Sequence, residues 1–132
     1  MKTQNLGLLI LRLSIGILLL LHGVNKIFHG VDFIENMFRE HGLPAFFAYA
    51  IFIGEVLAPI MIILGYRTRI FSFIIVINML VIIFMVKSDL LFSFAQTGAW
   101  ELELQGLYLF GALALFFTGA GKMAVSSKSF WD

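Results

Sequence analysis

The sequence predicts an all-α integral membrane protein, a bundle of four transmembrane helices with a short interfacial helix in the first outer loop. Hydrophobic residues make up 61% of the 132 residues and charged residues 13%, about half the usual charged share of roughly 25%. The mean hydropathy is +0.99, and a small soluble domain exposes too much of its chain to hide that much apolar surface. The charges also leave four apolar windows, each close to the ~20 residues that cross ~30 Å of hydrocarbon.

The four windows predict helices at about residues 5–28, 45–65, 69–87 and 99–119 of a single membrane domain, 1–132. Strands are not expected, because the windows lack two-residue alternation and an open sheet cannot span lipid. The first window is predicted to be a retained helix, since Arg12 interrupts the apolar run that a signal peptide needs. The tight turn at residues 65–69 predicts that helices 2 and 3 are antiparallel neighbours.

An interfacial helix is predicted at about residues 32–41 in the first loop. Its apolar residues share one face and its polar residues the other, Asp32 can cap its start, and Gly42 with Pro44 can end it. The alternative is a loop without regular structure.

The Lys and Arg residues of the short loops predict how the protein is oriented in the membrane, because five of them lie on one side and three on the other. Both termini are therefore expected in the cytoplasm.

Three polar residues inside the apolar windows form a predicted buried polar core: Arg12, Glu55 and Asn78. A charge in the bilayer costs about 2.5–3.5 kcal/mol on insertion scales, so an intramembrane charge is a functional candidate. At a rise of ~1.5 Å per residue, the three residues lie at similar depths in the membrane once the length of the arginine side chain is included. We predict a buried Arg12–Glu55 pair with Asn78 as a hydrogen-bond partner. The alternative is a pair that only holds the helices together.

A second polar group lies toward the outer side. His22 and Lys26 recur on one stripe of helix 1, and Glu101 and Gln105 share a face of helix 4 with Tyr108. We predict that His22, Lys26, Glu101 and Gln105 line a polar pocket that opens outward. A histidine and a carboxylate in such a pocket can pass protons to a quinone head group. The alternative is that His22 and Lys26 simply lie among the lipid head groups.

Other chemistries are excluded or have weaker support. The chain has no cysteine, so disulfide exchange, thiolate nucleophiles and Cys-bound clusters are excluded within it. Redox chemistry here therefore needs a bound cofactor or a partner protein. A metal site at the histidines and Glu101 lacks HxxxH or HExxH spacing, and haem lacks a histidine on a second helix. No metal and no nucleic-acid partner are expected.

The polar and glycine positions occur in one order along about residues 6–125: Arg12-Leu13, His22-Gly23 with Lys26, Gly42-Leu43-Pro44, Glu55, Gly65 with Thr68-Arg69, Trp100-Glu101 and Gly119-Ala120-Gly121-Lys122. This ordered set resembles the DoxX family of small bacterial membrane proteins, which is similar to the membrane subunit of an archaeal thiosulfate:quinone oxidoreductase. The resemblance implies a four-helix bundle in the bacterial inner membrane and suggests quinone-linked redox work. The chain departs from the family at Pro59, where we expect a kink one turn beyond Glu55.

Together these observations predict a DoxX-like subunit of a quinone-linked oxidoreductase. The expected cofactor is a non-covalently bound quinone, and the expected partners are membrane lipid and either a partner protein or further copies of this chain. His22 and Glu101 would contact or protonate the quinone. The alternatives are a non-enzymatic membrane scaffold and a lipid- or small-molecule-binding protein. Whether the chain itself is catalytic stays open at this point, as does its electron donor.

Overall fold

The computed structural model describes residues 2–29, 36, 39–40, 42, 49–50, 53–85, 92–94, 96–125 and 132. Within these residues the chain is all-helical, with no strand, which confirms the predicted all-α class. The elements are α1 (Lys2–His29), a π-helical turn (Ile53–Leu57), α2 (Ala58–Leu64), α3 (Thr68–Met85) and α4 (Glu103–Thr118).

The first helix is the longest of those described. Its apolar stretch Thr3–Asn25 is, in the described part of the chain, the one segment with both the length and the composition to cross a membrane. Within an 18-residue window of that stretch only 28% of the residues are buried inside the protein, whereas the core helix of a soluble protein is mostly buried. The apolar segments of the other helices are shorter: Glu55–Leu64, Thr68–Phe84 and Glu103–Thr118.

The predicted second helix is irregular at Glu55. A π-helical turn precedes α2, and Pro59 lies in the first turn of α2. Proline has no N–H, so residue 59 cannot donate to the carbonyl of Glu55 four residues earlier, as an α-helix requires. A wider π-helical turn is one of the known ways in which a helix absorbs such an interruption. The irregularity beside Pro59 is therefore a π-helical turn that contains Glu55, and it lies before Pro59, whereas the kink was predicted one turn beyond Glu55.

The connection between α2 and α3 is a tight turn that begins at Gly65. Gly65 has a left-handed φ of 79°, and its N–H donates to the carbonyl of Met61 at 2.9 Å. The N–H of Tyr66 donates to the same carbonyl at 3.0 Å. Left-handed glycine at this position is the usual end of an α-helix, because it has no Cβ to clash. The chain then reverses, and α2 and α3 pack against each other as neighbours.

An apolar core joins the four helices. It takes buried residues from every one of them: Ile15, Leu19, Ala58, Ile62, Ile75, Val76, Met79, Ile82, Tyr108, Ala112 and Leu115. Two glycines bring α1 close to its neighbours. A Cβ at Gly16 would lie closer than 3.0 Å to Ile63 of α2, and one at Gly111 of α4 would lie equally close to Ile15. The small residues thus permit the close packing that is typical of membrane helices.

Two further predictions concern the loops. Of the predicted interfacial helix, residues 36, 39 and 40 are described and helical, and the rest of 32–41 lies outside the described residues. Gly42 follows with φ 79°, and its N–H donates to the carbonyl of Arg39 at 3.0 Å, as at a helix end. The fourth helix begins at Glu103, later than the predicted residue 99, because Trp100 forms a β-bridge with Phe94 and residues 101–102 form a turn.

Candidate functional site

Buried polar side chains lie at two levels of the bundle. The Arg12 level is near the α2–α3 turn and consists of Arg12, Gly65 and residues 119–125. The Glu55 level lies about 15 Å further along α1, at ~1.5 Å per residue, and consists of His22, Gly23, Glu55, Asn78 and Tyr108. Contacts between neighbouring helices define each level.

Arg12 is completely buried, at 0% exposure, and all its hydrogen bonds within the described structure go to main-chain carbonyls. Nη1 donates to the carbonyls of Ile62 at 3.1 Å and Ile63 at 3.4 Å, and Nη2 donates to the carbonyl of Met123. Ile62 and Ile63 lie in the last turn of α2, where carbonyls have no donor within the helix and carry partial negative charge. Arg12 therefore caps α2 and ties the segment after α4 to it.

The prediction that Arg12 pairs with Glu55 is wrong, because Arg12 bonds to main-chain carbonyls instead. Glu55 precedes Ile62 by seven residues, which is about 10 Å along a helix at ~1.5 Å per residue. The guanidinium group is instead turned toward the α2–α3 turn, where three carbonyls take its protons. A carboxylate is the obvious partner for a buried arginine, but the end of a helix supplies an alternative.

Gly65 makes room for the guanidinium group. A Cβ at Gly65 would lie closer than 3.0 Å to Arg12 Nη1 and to Ala124, whose segment packs on the same turn. That segment is held at two more points. The N–H of Lys122 donates to Oδ1 of Asn5 at 3.2 Å, and the N–H of Val125 donates to the carbonyl of Leu64 at 3.0 Å. The Arg12 level is thus a network that joins the start of α1, the end of α2 and the exit from α4.

At the second level, Glu55 is 3% exposed and belongs to the π-helical turn. Gly23 of α1 packs directly on its main chain, since a Cβ at Gly23 would lie closer than 3.0 Å to the Glu55 carbonyl. The carboxyl group of Glu55 interacts electrostatically with Tyr108 of α4, which is 4% exposed. A buried carboxyl and a buried phenol therefore lie near each other between the helices.

Asn78 of α3 lies at a similar depth. Glu55 and Asn78 are each about ten residues from the α2–α3 turn, on neighbouring helices, so both lie about 15 Å from it at ~1.5 Å per residue. Asn78 is 6% exposed, and its Nδ2 has no hydrogen-bond partner among the residues described. A buried amide of this kind can serve a ligand as a donor.

His22 joins this level to the surface. Its ring packs edge-on against the ring of Tyr108, with centroids 5.8 Å apart and an interplanar angle of 82°. The imidazole is exposed, and Nδ1 lies 3.0 Å from the carbonyl of Leu18. A carbonyl can only accept, so Nδ1 carries the proton in this contact and Nε2 is the acceptor of the neutral ring. A proton donor and acceptor therefore lies at the surface beside a buried phenol.

Of the other predicted pocket residues, Glu101 and Gln105 have side chains that the structure describes. Glu101 is exposed in the turn before α4, where its N–H donates to the carbonyl of Ser93 at 3.1 Å, and Gln105 is half-buried. Lys26 is part of α1, but its side chain lies outside the described part. No group of three or more His, Asp or Glu side chains there could hold a metal ion.

Tyr108 is the residue that sequence reasoning undervalued. It follows Glu101 and Gln105 at seven and three residues on the same helix face, so the spacing already placed it on the polar stripe. Tyr108 is buried, whereas Glu101 is exposed and Gln105 half-buried. The burial of Tyr108 and its contact with His22 depend on how α1 packs against α4.

An all-helical chain with an apolar helix of membrane-spanning length and buried ionisable side chains has the character of a membrane protein. A profile of the DoxX family matches residues 7–88, more than half of the chain. The protein therefore belongs to the DoxX family of membrane proteins, as the resemblance suggested. A protein of Bacillus subtilis (strain 168) named "Putative oxidoreductase CatD" is 29% identical over 124 residues, which cover 94% of this chain and 87% of that protein. No solved structure matches the chain.

Proposed function

We propose that the protein is a quinone-linked redox subunit of the bacterial inner membrane that works with a partner protein as electron donor. The observation that carries this proposal is the Glu55 level, where a buried carboxyl, a buried phenol and an exposed imidazole follow one another from the interior of the bundle to its surface. The name of the Bacillus subtilis relative supports an oxidoreductase role.

The proposal includes a four-helix bundle that spans the membrane, with both termini in the cytoplasm. Exposed apolar side chains support it, because they form stripes along α3 and α4 as well as α1. On α3 the exposed residues are Phe73, Ile77, Leu80 and Phe84, and on α4 they include Leu107, Phe110 and Phe117. A soluble protein rarely exposes contiguous apolar patches of this kind. A lipid bilayer around the helices would keep these apolar side chains out of water.

The residues of the Glu55 level have the chemistry that a quinone head group needs. A quinone takes up two electrons together with two protons, so its oxygens require hydrogen-bond donors nearby. The exposed His22 ring can donate from Nε2 once it is protonated. Tyr108 and Asn78 offer further donors at the same depth, and Glu55 is a buried reservoir for a proton. In this proposal the electrons come from a partner protein, since the chain has no cysteine thiols that could supply them.

Lys26, Glu101 and Gln105 belong to the outer end of this proposed site. They lie beyond the Glu55 level on α1, in the turn before α4 and at its start, where they can attract or orient the head group as it arrives. In this proposal they are positioning residues, and His22 is the residue that touches the quinone.

Solvent extraction of gently purified protein, followed by mass spectrometry of the lipid-soluble molecules, tests the proposal. We expect a quinone in stoichiometric amount, which is lost in His22→Ala and reduced in Tyr108→Phe, because the latter removes a single hydroxyl. Ser14→Ala, an exposed position on α1 below this level, is the matched control and should retain the quinone. Recovery of bulk phospholipid alone would contradict the proposal.

A non-enzymatic scaffold is the second candidate, and the Arg12 level favours it. Every hydrogen bond of Arg12 within the described residues holds one helix to another or to the segment after α4. If the Glu55 level has the same structural role, His22→Ala leaves the turnover of the partner unchanged. Under the redox proposal the same substitution abolishes it, so one assay separates the two.

A further inference from the structure

Two cavities lie toward the end of the bundle that carries the α2–α3 turn. The apolar groove has a volume of about 400 Å³ and is lined by Ile70, Phe73, Ile74 and Phe116. The basic cup has a volume of about 290 Å³ and is lined by Arg69, residues 118–122 and Asp132. The apolar groove shares no residue with either level, and the basic cup shares residues 119–122 with the Arg12 level but is not lined by Arg12 itself.

The residues that line the groove and the cup are close in sequence on the same two helices. Arg69 directly precedes Ile70 on α3, and Thr118 follows Phe116 by two residues on α4. The ring centroids of Phe73 and Phe116 lie 5.6 Å apart across the groove, and Phe73 is exposed at its edge. A molecule bound along α3 and α4 would therefore meet apolar side chains first and charged groups at the end of the helices.

The cup carries excess positive charge. Asp132 is buried there, its Oδ1 accepts from the N–H of Arg67 at 3.2 Å, and the same oxygen lies 3.6 Å from Nη1 of Arg67. Arg69 and Lys122 add two cationic side chains to this pair, so three cationic side chains and one acidic side chain lie at or beside the cup in the described part. The side chain of Arg69 is held over Gly119, where a Cβ would lie 3.2 Å from Arg69 Nε. The cationic side chains at the cup therefore outnumber the acidic ones, a balance that favours an anionic ligand.

We infer that the groove and the cup form one binding site for an anionic phospholipid. The phosphate lies in the cup between Arg69 and Lys122, and an acyl chain lies in the apolar groove. A basic pocket between helices at the membrane surface is a recognised form of site for anionic lipid head groups. A free phosphate would leave the groove empty, and a neutral lipid would leave the charge of the cup unused. The inference rests on the proposed membrane placement and is independent of the quinone chemistry.

Native mass spectrometry of the detergent-purified protein tests this site. The protein is titrated separately with dioleoyl phosphatidylglycerol, dioleoyl phosphatidylcholine and glycerol phosphate. We expect phosphatidylglycerol to bind most tightly and its affinity to fall about tenfold in Lys122→Gln, because a charge-assisted hydrogen bond is lost. Arg69→Gln should have a similar effect. Arg39→Gln, which removes an exposed charge near the opposite end, is the matched control and should bind like the wild type.

A variant of the groove separates a lipid from a free anion. Ile74→Trp fills the groove and should weaken phosphatidylglycerol about as much as Lys122→Gln does. Equal binding of the two lipids, or unchanged affinity in Lys122→Gln, would overturn the inference. Equal binding of glycerol phosphate and phosphatidylglycerol would also overturn it, since the acyl chain would then contribute nothing. Retention of the quinone in Lys122→Gln is measured in parallel, so failure of this site is distinguishable from failure of the redox proposal.

Discussion

Replacing Gly65 with alanine tests the packing of the Arg12 level. The substitution acts in two ways. Gly65 has φ 79°, and a left-handed conformation costs an L side chain roughly 1–2 kcal/mol. The new Cβ would also come closer than 3.0 Å to Arg12 Nη1 and to Ala124. Arg12 must then move, and a hydrogen bond from a charged donor is worth about 1.5–3 kcal/mol.

The two contributions predict that Gly65→Ala lowers the free energy of unfolding by about 2.5–5 kcal/mol. Gly42→Ala is a matched control, because Gly42 has the same φ of 79° and a Cβ there would meet no atom within 4 Å in the part of the chain that the structure describes. The control should therefore lose only the roughly 1–2 kcal/mol that comes from the backbone.

The assay is denaturant-induced unfolding in detergent micelles, followed by circular dichroism and by the fluorescence of the two tryptophans. Gly65→Ala should unfold at a clearly lower denaturant concentration than Gly42→Ala. In an Arg12→Met background the penalty of Gly65→Ala should shrink, because the clash with Nη1 is gone, although the clash with Ala124 stays. Equal destabilisation by the two alanines, or an unchanged penalty in Arg12→Met, would refute the reasoning.

The remaining predictions use the same unfolding assay. Arg12→Lys should cost about 2 kcal/mol or more, because an ammonium group cannot replace the fork that serves three carbonyls; a cost below about 0.5 kcal/mol would contradict the capping role. Gly23→Ala should be destabilising, because its Cβ would collide with the Glu55 carbonyl, whereas Gly7→Ala, with no atom within 4 Å among the described residues, should be neutral or stabilising by up to about 1 kcal/mol. Asn78→Leu should not lower stability, because it removes a buried amide nitrogen that has no partner in the described structure. The same variant should lose quinone in the extraction experiment, and retention of the quinone would exclude Asn78 from the site.

Sequence reasoning was right where the signal is local. The burial of Arg12, Glu55 and Asn78 follows from their position inside apolar windows, because a helix that is apolar on all sides has no polar face to offer them. The end of α2 at Gly65 was visible in the same way, since glycine followed by a basic turn is a common helix terminus. The interruption at Pro59 was also visible, because proline cannot donate to the carbonyl four residues before it.

By itself, the sequence determined the class of structure, the all-helical architecture and membership of the DoxX family, since hydropathy, helix breakers and the order of motifs are properties of the linear chain. Tertiary structure decided which groups meet. The carbonyls that hold Arg12 belong to the end of another helix and to a segment more than a hundred residues away, and any residue type carries a carbonyl, so no pattern marks them. The contact of His22 with Tyr108 likewise depends on how far α1 and α4 are rotated against each other. Which groups a buried side chain contacts is decided by helix packing, and this is where the predictions from the sequence and the structure differ.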